Sequence, residues 1–97
     1  MTKPTIHLNG TSAEDLLEGY RTAMEGISNA RQAMRSAWPN GRDYYPQGPD
    51  AINEAIREHA VRLLKLEEIH TELTELAVHC NDIISERNQR RAERSQP

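Results

Sequence analysis

Phenylalanine is absent from this chain, tryptophan and cysteine occur once each, and lysine occurs only as Lys3 and Lys65. With aromatics at 4% and hydrophobic residues at 36%, the composition is lean for a monomeric globule. The single cysteine, Cys80, excludes an intramolecular disulfide framework and suits a reducing compartment. Positive charge is also short. A net charge of −3 lacks the basic surface that a dedicated nucleic-acid or anionic-membrane binder needs. No apolar run approaches the roughly 20 residues of a membrane span, and the opening MTKPTIHL has no apolar signal-peptide core. The expected location is therefore cytoplasmic.

Catalytic signatures are missing too. No glycine-rich phosphate loop, nucleophile elbow, H-x-x-x-H or C-x-x-C occurs. His59 and His70 lie on one helical pattern but about 16 Å apart along its axis, too far to share a metal. They read as structural seam residues, and Cys80 as a small core residue with nothing beside it to lower its pKa. Glu67, Glu68, Glu72 and Glu75 read as a solvated helix face. The expectation is a non-enzymatic protein with no catalytic residues, metal or cofactor.

What is present is helix. Thr11-Ser12-Ala13-Glu14 fits a capping box, with Thr11 as the cap and Glu14 reaching back. The pattern then carries Leu16, Leu17, Tyr20, Met24, Ile27, Met34 and Trp38 at spacings of three and four, apart from a gap at Arg31. Beside it runs a stripe of small residues, Gly19, Ala23, Gly26, Ala30, Ala33 and Ala37. Each glycine costs about 1 kcal/mol of helix propensity, so close approach of another helix is the natural reason for them. Pro39 ends the helix by disfavouring helical geometry at Trp38.

The second helix has the stronger periodicity. Ile52, Ile56, His59, Leu63, Leu66, His70, Leu73, Ala77, Cys80 and Ile84 form a heptad seam, with Asp50 placed as its cap. After Ile84 the sequence SERNQRRAERSQP is polar and arginine-rich. Before the first helix, Thr5–Leu8 is a short extended run that must pair with a copy of itself or lie against the helices.

These features predict an all-α fold: an antiparallel two-helix hairpin with a short N-terminal extended strand, assembling into a homo-oligomeric helical bundle. The single domain spans about 1–88, with helix 1 at about 12–38, a loop at 39–49 and helix 2 at about 50–86. Residues 89–97 are expected to form a disordered tail. Helix 2 should overhang helix 1 by two to three turns, leaving apolar residues for the N-terminal segment or another subunit to cover.

The loop PNGRDYYPQGP is longer than the 2–8 residues that usually join bundle helices, and its polar and aromatic content exceeds that need. Arg42 offers a planar fork for phosphate or carboxylate, and Tyr44 and Tyr45 offer stacking faces. A site is expected from Asn40, Arg42, Asp43, Tyr44 and Tyr45, with His59 and Arg62 from the start of helix 2 nearby. It would suit a small anionic, nucleotide-like ligand. The plainer alternative is a turn stiffened by Pro46 and Pro49, with a tyrosine capping the hairpin and a local Arg42–Asp43 ion pair. At the level of function, the competing expectation is a protein-interaction module that docks a partner helix. A nucleic-acid role for the arginine-rich end ranks last.

The opening HLNGTS, the loop PN-x-RDYYPQG and the following AIREHAVR resemble a family of small proteins encoded by phages and prophages. The similarity runs over most of the chain and is most distinctive in the loop. It implies a small cytoplasmic accessory protein that acts by binding, either to a host protein or to a host signalling molecule that it sequesters. No individual binding residue carries over from it.

Overall fold

The computed structural model describes residues 1–95 and consists of two long helices, α1 (Ala13–Ser36) and α2 (Ala51–Ser95), packed against one another as a hairpin. Two short 3₁₀ turns, Gly41–Asp43 and Tyr45–Gln47, connect them. At 1.5 Å per residue α1 is about 36 Å long and α2 about 67 Å, and the molecule extends 76 × 22 × 16 Å. No helix among the described residues is long and apolar enough to cross a membrane.

The cap of α1 lies one residue beyond the expected position. Ser12, not Thr11, takes the extended cap conformation, and its Oγ accepts the Asp15 amide at 3.1 Å. Glu14 is thereby released from the capping box and instead meets the Arg87 guanidinium across the hairpin. At the other end the Ala37 amide donates to Ala33 and Met34, and Trp38 lies just outside the helix, as its Pro39 neighbour requires.

The hydrophobic core is thin. Leu17 packs with Ala77 and Cys80, flanked by half-buried Leu16, Tyr20, Met24 and Ile84. Ala13 is the remaining fully enclosed apolar residue among those described. Arg31 fills the gap in the α1 stripe. It is half-buried, and its Nε has no hydrogen-bond partner among the described residues. The small-residue stripe does not face α2. All six of its members are exposed, and a Cβ placed on Gly19 or Gly26 would meet nothing within 4 Å.

One feature differs from the sequence reading. The disordered tail expected from residue 89 is instead helix as far as Ser95, while residues 96–97 lie outside those described. Glu, Arg, Gln and Ala are strong helix formers and carry α2 on past Arg87, which pairs with Glu14. The N-terminal residues 1–12 have no regular secondary structure in the single chain. They lie along α2, where the Pro4 carbonyl accepts from His79 Nε2 at 2.7 Å and Pro4 and Ile6 are half-buried. The segment thus covers part of α2 without forming a strand within the chain.

Candidate functional site

The tip of the hairpin is built by local turn chemistry. Asn40 Oδ1 accepts the Arg42 amide at 3.0 Å, which starts the first 3₁₀ turn. Pro46 presets the second turn. Gly48 then takes φ of 114°, a conformation that side chains with a Cβ rarely adopt, and delivers the chain into α2. The Glu54 amide donates to the Asp50 carbonyl at 3.2 Å, which marks the first turn of that helix.

Under this tip the first turns of α2 form a cleft of about 320 Å³. Its walls include Pro39, Tyr44, Glu54, Glu58, His59 and Arg62, with small alanines between them. A volume of this size is at the lower end for small-molecule sites. His59 is buried, at 8% exposure. Its Nε2 lies 2.6 Å from the Met34 carbonyl oxygen, so that nitrogen carries the proton and donates it. The ring also meets Trp38 edge-on, with centroids 5.2 Å apart and planes at 85°.

Of the seven residues nominated from sequence, Tyr44, His59 and Arg62 converge on this cleft. The other four do not line it. Asn40 is committed to capping the turn, and Arg42, Asp43 and Tyr45 are exposed, Tyr45 at 75%. No Arg42–Asp43 ion pair forms among the described residues. Tyr44, half-buried, is the tyrosine that closes the tip.

Sequence reasoning missed Glu54 and Glu58. The signal was available: Ala51, Ala55, Glu58 and Arg62 step by four, three and four, which sets them on one helical face. The two carboxylates change the electrostatics of the site. Glu54 pairs with Arg57 at 2.8 Å and Glu58 with Arg62 at 3.7 Å. All four side chains are more than half exposed, so these pairs are worth little and exchange readily for other partners. The wall therefore offers both a guanidinium and two acceptor groups.

Elsewhere, Cys80 and His79 are held within the packing of the hairpin. Cys80 is fully buried, and burial pushes its thiol up, away from the reactive thiolate. His79 holds the N-terminal segment by donating to the Pro4 carbonyl. No group of three or more His, Cys, Asp or Glu side chains is placed to hold a metal among the described residues. Comparison with protein-family models, with curated proteins and with solved structures gives no match for this chain.

Proposed function

We propose that this protein is a non-enzymatic binder of a small nucleotide-like ligand at the hairpin tip. In keeping with its resemblance to phage and prophage proteins, it would act as an accessory protein that sequesters a host signalling molecule in the bacterial cytoplasm. The observation that carries the reading is the convergence of Tyr44, His59 and Arg62 on one cleft. Arg62 would take the anionic group, exchanging its exposed Glu58 partner for a phosphate. Tyr44 supplies an aromatic face for a base. Glu54 and Glu58 accept hydrogen bonds, so they favour a base that presents adjacent N–H donors over a bare anion.

Thermal shift against linear and cyclic nucleotides tests this. A true ligand at a hundredfold over its Kd stabilises by about 2.7 kcal/mol, which raises the melting temperature by several degrees. Arg62→Ala and Tyr44→Ala should abolish the shift, while Arg57→Ala, off the cleft, should retain it. If no nucleotide moves the transition, or if Arg62→Ala responds like wild type, the reading fails.

A second reading, a protein-interaction module, is supported by a different observation: the thin core and the apolar surface left open along the hairpin.

A further inference from the structure

The exposed face of α1 is chemically unusual for a surface. From Gly19 to Ala37 the stripe steps by four and three, so Gly19, Gly26 and Ala33 repeat every seven residues, as do Ala23, Ala30 and Ala37. Thr22 and Asn29 flank it, and no charged residue falls on this face over that span, although 28% of the chain is charged. Among the described residues nothing uses the absence of side chains at Gly19 and Gly26, since both have open space around them.

Surface area supplies an independent argument. A compact monomer of 11.1 kDa exposes about 5,700 Å². This chain exposes 7396 Å², with a radius of gyration of 21.1 Å against about 13 Å for a compact domain of its length. The excess of about 1,700 Å² exceeds the roughly 800 Å² per partner that a standard stable interface buries. A second chain laid along α1 at such an interface would remove about half of that excess.

We infer that the occupant of this face is a second copy of the chain, packed α1 against α1 through the small-residue stripe to form a four-helix homodimer. Glycine and alanine at both heptad positions let the helix axes approach to the lower end of the 8–10 Å range. The seven-residue repeat matches a left-handed crossing. A two-fold arrangement uses one surface twice, which is the commonest symmetry of soluble oligomers. The interface shares only Ala37 with the loop cleft, and Gly26 and Ala30 lie outside that cleft, so ligand titration and self-association of variants at those two positions succeed or fail separately.

Light scattering after size exclusion, run from low to high micromolar concentration, provides the test. Wild type should show twice the 11.1 kDa chain mass and a melting temperature that rises with concentration. Gly26→Leu should weaken association on the order of a hundredfold and remove the concentration dependence. The open space at Gly26 means that a lone chain accepts leucine there without loss of helix, which circular dichroism verifies. Ala30→Arg, on the same stripe, should act alike, and Leu64→Ser, at an exposed position on α2, should leave the dimer intact. The inference is overturned by a single-chain mass at high concentration, or by a dimer that survives both stripe variants. Loss of the dimer in Leu64→Ser alone also overturns it.

Discussion

At the open end of the hairpin, Leu17 rests on Ala77 and Cys80, and contact is made by apolar atoms with Glu14 and Arg87 outside them. At the tip, α1 and α2 are joined instead by the His59 imidazole, which donates to the Met34 carbonyl and presents its ring to Trp38. Both ends are buried at their centres, but the buried contact is apolar volume at the open end, with a part-exposed ion pair at its edge, and one directed hydrogen bond at the tip. Volume tolerates polar surroundings poorly and does not specify direction. A hydrogen bond to a backbone carbonyl specifies register, and it places Arg62, three residues on, beside the loop. The end with the better core is thus the structural end, and the end with the directed contact holds the candidate site.

Substitutions can break or sharpen this contrast. The largest effect is expected for Leu17→Ala, a destabilisation of about 2–4 kcal/mol in urea unfolding, because so few buried apolar neighbours exist to compensate. His59→Leu should cost about 1–3 kcal/mol, through loss of a buried hydrogen bond. The Met34 carbonyl keeps the Ala37 amide as a partner, which moderates the loss. Fluorescence of Trp38, the sole tryptophan, should change with His59→Leu and stay as in wild type with Leu17→Ala. If His59→Leu costs more than Leu17→Ala, the tip is the principal anchor and the contrast is reversed.

The smallest effect concerns pH and touches the open end alone. Burial raises the Cys80 thiol, so the folded chain keeps a proton that the unfolded chain gives up. The associated stability is complete below the ordinary thiol value of about 8.5 and declines as pH rises through and above it. Unfolding followed from neutral to alkaline pH should show this decline in wild type and a flatter limb in Cys80→Ala. An identical slope in both would mean that Cys80 does not sense its burial.

Much of this arrangement was legible in the residues. Apolar spacings of three and four marked both helices, Pro39 marked the end of the first, and the turn residues between them marked the reversal. The loop was also legible as the place of interest, because its tyrosines and arginine exceed what a connection needs. Its membership in the cleft was not. Whether Tyr44 or Tyr45 faces inward depends on the 3₁₀ turns about Asn40 and Pro46, and those turns leave Tyr45 in solvent. Glu54 and Glu58 were hidden because exposed glutamates at helical spacing are ordinary, and only the folded-back tip converts that face into a wall.

The helical end of the chain shows the opposite failure. Composition alone describes residues 85–95 as too polar to fold, yet they have good helix propensity and continue a helix already nucleated.

The sequence by itself determined the elements: two amphipathic helices and the break between them, since periodicity and proline act locally. Tertiary structure decided which apolar face of α1 meets α2. The sequence offered a face of large residues and a face of small ones, both continuous. The large-residue face won because it removes more apolar area from water, and the small-residue stripe was left open beside it.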